Sequence, residues 1–69
     1  MNYEPYYKIA TKNGWTIDKS TLHHNGPRFT KNSTEIWKIK KGWQCADLID
    51  DHYCNHRPNN SLTTLLESQ

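Results

Sequence analysis

The 69-residue chain contains no Val, one Phe and one Met. Leu and Ile add five each, so aliphatic side chains fall below the fraction usual in folded domains. That poverty predicts disorder only together with a high net charge, and the formal charge here is +2. No apolar run approaches the ~20 residues that a membrane-spanning helix needs. Residues 1–7 show no basic region followed by an apolar stretch, so no signal peptide is expected. Two cysteines, Cys45 and Cys54, are too few for a disulfide framework. The three glycines build neither a phosphate-cradling loop nor a nucleophile elbow. The length leaves room for one small domain over 1–69 and excludes a large enzyme, a cofactor domain or a transporter.

What the chain does have is aromatic surface. Three Trp and four Tyr offer large buriable area, and a folded domain with an aromatic-rich core is expected. Charge is uneven. Residues 1–43 carry a net +5 and residues 44–69 a net −3, which suggests a two-sided electrostatic surface.

The local patterns predict an α+β domain. Pro5 suits the first turn of a helix, Tyr6, Ile9 and Ala10 share a helical face, and Asn13-Gly14 would cap its C-terminus. The same Asn-Gly pair also fits a hairpin turn. Trp15–Ser20 alternates as a strand. A turn at Asn25-Gly26 would set Leu22 opposite Phe29 and Thr21 opposite Thr30. Glu35–Lys41 reads as a strand ending at Gly42, or as a helix opened by an Asn32/Glu35 capping box; the strand is preferred.

Residues 44–56 place Cys45, Ala46, Leu48, Ile49, His52, Tyr53 and His56 on one broad helical arc. Asp47, Asp50, Asp51 and Cys54 fall on the other. An amphipathic helix with an acidic outer face is expected there, ended by Arg57-Pro58. On that helix the two cysteines point apart, ~13 Å along the axis, beyond the ~7 Å Cα reach of a disulfide. Two free thiols and a reducing cytosol follow. Ser61 caps a short C-terminal helix over 61–67, whose Leu62, Leu65 and Leu66 lie on one side. These leucines must pack on the domain or across a homodimer. The expected layout is helix, two or three antiparallel strands, helix, short helix.

The basic-aromatic stretch Trp37-Lys38-Ile39-Lys40-Lys41-Gly42-Trp43 is the first candidate site. On a strand, Lys38 and Lys40 point one way and Trp37, Ile39 and Lys41 the other. With Arg28, Lys31 and Lys19 the lysines could meet phosphates, and an exposed Trp37 or Trp43 could stack on a base. The alternative is that both Trp are core and the lysines only solubilise the sheet. This stretch points to a non-enzymatic binding protein, docking on nucleic acid or on a nucleic-acid-handling complex. The chain has the size of many phage and mobile-element accessory proteins. A second function class is a protein inhibitor or adaptor that presents Asp47, Asp50 and Asp51 as a mimic of phosphates.

No cofactor is implied. His52 and His56, at i, i+4 of a helix, could share a metal completed by His23, His24 or Cys45. No Cys-X2-Cys spacing accompanies them, and no metal site is assigned. Finally, Lys12-Asn13-Gly14-Trp15, Ile17-Asp18-Lys19 and His23-His24 together resemble the front half of HicA-type toxins over about a dozen positions. Where that family has Gly-Ser before its His pair, this chain has Thr21-Leu22. The resemblance implies a fold of helix, three strands and helix, and a ribonuclease using His23 or His24 as its catalytic histidine.

Overall fold

The computed structural model describes residues 2–20 and 26–69. Helix α1 runs Glu4–Lys12, with Pro5 in its first turn, Glu4 at its positive end and Lys12 at its negative end. Its stop signal is a Schellman motif. Gly14 takes φ 85°, its N–H donates to the Thr11 carbonyl (3.2 Å), and the Trp15 N–H donates to the Ala10 carbonyl (2.9 Å). Asn13-Gly14 therefore ends a helix rather than turning a hairpin.

Five strands follow: β1 (Thr16–Asp18), β2 (Arg28–Lys31), β3 (Thr34–Ile39), β4 (Gly42–Ile49) and β5 (His52–Cys54). They form one antiparallel meander in the order β1-β2-β3-β4-β5. Helix α2 (Leu62–Ser68) closes the chain, and the Ser61 hydroxyl accepts the Thr64 N–H at its start. The class is α+β, as the sequence implies, but the sheet has five strands where two or three were expected.

The largest correction falls on residues 44–56, which form β4, a turn and β5 instead of an amphipathic helix. Three physical reasons favour the hairpin. Asp47, Asp50 and Asp51 would repel at i, i+3 and i+4 on a helix. Cys, His, Tyr, Asn and Asp are poor helix formers. Asp50 and Asp51 also accept positive φ, at 51° and 64°, which is what a two-residue type I′ turn requires of its central pair. With Ile49 paired to His52 across it, this turn reverses the chain where the helix would have continued.

The β1–β2 register also differs from the sequence expectation. Phe29 lies opposite Ile17 and Thr30 opposite Thr16. Thr21, Leu22 and Asn25, proposed for a tight turn, lie outside the described residues.

Register decides which side chains share a face. Phe29, Ile36 and Cys45 are cross-strand neighbours on one face, and all three are fully buried. Trp43, on the same strand face as Cys45, is buried as well. Helices α1 and α2 pack over this face: Ala10, Trp15, Leu62, Leu65 and Leu66 join the core, and Tyr3, Tyr6, Tyr7, Ile9 and Ile17 line its margin. The Trp15 indole N–H donates to the Leu66 carbonyl at 2.9 Å, tying the residue before β1 to α2. Leu62, Leu65 and Leu66 are thus buried within the chain and offer no surface for a homodimer. Among the described residues no helix is long and apolar enough to cross a membrane.

Beyond β5 the chain continues along β4 with a shifted register. Cys54 pairs with Asp47, but the Arg57 N–H donates to the Cys45 carbonyl and Asn59 pairs with Trp43. One extra residue is accommodated at Asn55-His56, where Asn55 has φ 56°. This is a β-bulge, and it brings Arg57, not His56, opposite Cys45.

An aromatic-cationic cluster on the open face of the sheet

The face away from the helices carries Arg28, Glu35, Trp37, Ala46 and Tyr53. Strand alternation puts them there, since each neighbours a core-facing residue. Their side chains form one cluster. The Arg28 guanidinium donates through Nη2 to Glu35 Oε1 at 2.9 Å and to the Tyr53 hydroxyl at 3.2 Å. The Tyr53 hydroxyl donates to the same Glu35 oxygen at 3.2 Å. Arg28 also lies over the Trp37 ring, 5.2 Å from its centroid. The Trp37 and Tyr53 rings are 5.0 Å apart and tilted by 54°.

Ala46 explains how rings from β3 and β5 meet across β4. It is the cross-strand partner of Glu35 and has no exposed surface, and its small side chain on the intervening strand leaves room for the two rings to approach. Tyr53 remains 41% exposed. The outcome is a platform of three planar groups, with the Arg28 charge balanced by Glu35.

The residues singled out from sequence divide into three groups. Arg28 and Trp37 belong to the cluster. Lys40 and Lys41 are exposed in the β3–β4 turn, at one end of the open face. Lys31, Lys38 and Trp43 lie on the helix side. The Lys31 ammonium donates to the Gln69 carbonyl at 2.7 Å and sits 5.7 Å from the Trp15 ring centroid. The Lys38 ammonium folds back on its own turn, donating to the carbonyls of Ile39 (2.6 Å) and Gly42 (3.1 Å). Trp43 is core, packed against Phe29 and Tyr3. The basic stretch is therefore no single surface.

The acidic set divides too. Asp50 and Asp51 are exposed in the β4–β5 turn, at the opposite end of β4 from Lys40 and Lys41. Asp47 lies on the helix side, half-buried, and is engaged by neighbouring side chains. Its carboxylate accepts from Arg57 Nη2 (3.0 Å), Asn55 Nδ2 (3.0 Å) and the Thr34 hydroxyl (2.9 Å). These hydrogen bonds, the Arg57 one foremost, hold the Asp47 carboxyl well below the usual carboxylate range. Arg57 is in turn pushed up, chiefly by its hydrogen bond to Asp47. The acidic helix face, with Asp47, Asp50 and Asp51 as one array, does not exist.

Both cysteines are free, and strand pairing puts them on the same face rather than on opposite ones. Burial raises the Cys45 thiol, with Arg57 acting against that rise. His52 is in β5 and His56 at the bulge, so their i, i+4 helical relation is lost. Among the described residues no group of three His, Cys, Asp or Glu side chains converges to hold a metal. His23 and His24 lie outside the described residues.

A shallow groove of about 500 Å³ runs along α1, lined by Glu4, Tyr7, Lys8, Thr11 and Lys12.

Tyr53 and Glu35 were missed as site residues. The signal was present in the alternation of Trp43, Cys45 and Asp47 against Gln44, Ala46 and Leu48. It was hidden because the same apolar positions also fit a helical wheel. Comparison with protein families, curated proteins and solved structures gives no match to this chain.

Proposed function

We propose that the chain is a small non-enzymatic binding module that docks nucleic acid on the open face of its sheet. The observation that carries this reading is the Arg28–Trp37–Tyr53 cluster on the face that neither described helix covers. Aromatic rings and guanidinium planes accept base stacking without regard to sequence. Lys40 and Lys41, exposed at one end of the face, supply charge for phosphates. The phosphate-mimic reading is less favoured because Asp47 is engaged by Arg57, which leaves Asp50 and Asp51 alone as exposed members of the array.

The test is anisotropy of labelled oligonucleotides at two salt concentrations. The wild-type chain is expected to bind in a salt-dependent manner. Trp37→Ala and Lys40→Glu are each expected to weaken binding about tenfold, about 1.4 kcal/mol. An affinity unchanged in both variants, with folding intact by circular dichroism, overturns the proposal.

A further inference from the structure

We infer that the ligand of this face is a single strand, its bases on Trp37 and Tyr53 and its backbone leading toward Lys40 and Lys41. This rests on the reading of the open face as a nucleic-acid platform and adds the form of nucleic acid and its direction. Two observations carry it.

The first is the chemistry of the platform. Tyr53 is 41% exposed, and Trp37, half-buried beneath Arg28 and beside Tyr53, backs it. Only unpaired bases offer free π-faces to such rings. A duplex offers phosphates, spaced at about one charge per 1.7 Å of axis. Among the described residues, the cation within the platform is Arg28, and it is already paired with Glu35 at 2.9 Å. Within the cluster, aromatic surface therefore outweighs available charge, which lies instead at the Lys40-Lys41 turn, and this suits a splayed strand and not a duplex.

The second is the separation of charge along β4. Lys40 and Lys41 precede the strand, and Asp50 and Asp51 follow it. Eight residues at ~3.3 Å each place the two turns about 26 Å apart. A phosphate chain leaving the aromatic pair meets attraction at the lysine turn and repulsion at the aspartate turn. The strand is thus admitted from one end only. The aspartates act as a barrier that keeps the footprint short.

The experiment compares thymidine strands of about four, eight and sixteen nucleotides with a duplex of the longest, over a salt series. The single strands are expected to bind at least tenfold more tightly than the duplex. Tyr53→Ala, at an exposed position, and Trp37→Phe serve as folded controls of the platform. Both are expected to weaken single-strand binding severalfold. Lys40→Gln with Lys41→Gln is expected to lower the slope of log affinity against log salt by about 1.4, two phosphates at about 0.7 each. Asp50→Asn with Asp51→Asn is expected to tighten the longest strand severalfold and leave the shortest unchanged.

Binding of duplex as tight as single strand, lost in Tyr53→Ala, overturns the single-strand inference while sparing the module reading. A salt slope unmoved by the lysine pair, or a shortest strand tightened as much as the longest by the aspartate pair, overturns the direction. No binding of any oligonucleotide removes both readings. Concentration-dependent self-association abolished by Tyr53→Ala would assign the face to a second copy and overturn the inference.

Discussion

Arg57 holds Asp47 across the edge of the sheet, its Nη2 donating to Asp47 Oδ1 at 3.0 Å. A bulge of one residue at Asn55-His56 makes this possible, because without it His56 would stand opposite Cys45. The Asp47 carboxyl is held below its ordinary value, so the sign of the pH effect is set. Its contribution to stability is complete above about pH 4, the unfolded value, and drains away as pH falls toward the folded value. Wild-type protein is expected to lose thermal stability progressively below about pH 4. The Asp47→Asn variant, lower in Tm at neutral pH, should lose less over the same range. Melting curves between neutral and strongly acidic pH check this, and parallel curves for the two proteins would refute it.

Asp51→Gly separates a hairpin from a helix by the sign of its effect. At φ 64° Asp51 carries a left-handed strain that Gly does not, and relief of about 1 kcal/mol is expected. In a helix interior the same change would cost roughly 0.5 kcal/mol or less relative to Asp. Urea denaturation of the two proteins gives the sign directly.

Gly42→Ala should cost about 1–3 kcal/mol. Gly42 has φ 99°, and an added Cβ would stand 2.7 Å from Asn60 Oδ1 and 2.9 Å from the Asn59 carbonyl. The segment that carries Arg57 and Asn59 along β4 leaves no room for it. A midpoint in urea equal to wild type would show that this segment yields freely.

Leu66→Ala is expected to remove roughly 2–5 kcal/mol. Leu66 has no exposed surface, and its carbonyl holds the Trp15 indole. In a domain this small that loss approaches the whole of its stability. Near-ultraviolet circular dichroism at low temperature reads the outcome, and a native spectrum with an unchanged midpoint would count against the packing described.

The two thiols should react in a fixed order. Cys54 is half-buried and Cys45 fully buried. Burial also raises the Cys45 thiol, which lowers the fraction of reactive thiolate. Alkylation followed by mass spectrometry is expected to label Cys54 well before Cys45 under native conditions, and equal rates only in denaturant.

The chain ends of the fold were legible because their signals are local. Pro5 and Ala10 belong to one short helix that Asn13-Gly14 ends, and Leu62, Leu65 and Leu66 to another that Ser61 caps. Capping and periodicity act over a few residues, so these elements could be read without knowing their neighbours. The burial of all three leucines against α1 and β4 was beyond that reading, since a helical stripe does not say what covers it.

Residues 44–56 show the opposite case. Their apolar positions satisfy both a helical wheel and a strand alternation. The choice was made by the left-handed turn at Asp50-Asp51 and by pairing with β3, six residues of which lie against β4. Pairing across sequence-distant strands is a tertiary fact. The candidate site follows the same rule. Arg28 and Trp37 could be suspected from their types, but Glu35 and Tyr53 became partners only when β2, β3, β4 and β5 were laid side by side. What the sequence determined alone was composition, charge asymmetry, the α+β class and the two helix ends. Tertiary structure decided the sheet, the face each side chain shares and the site, because cross-strand contacts have no fixed spacing along the chain.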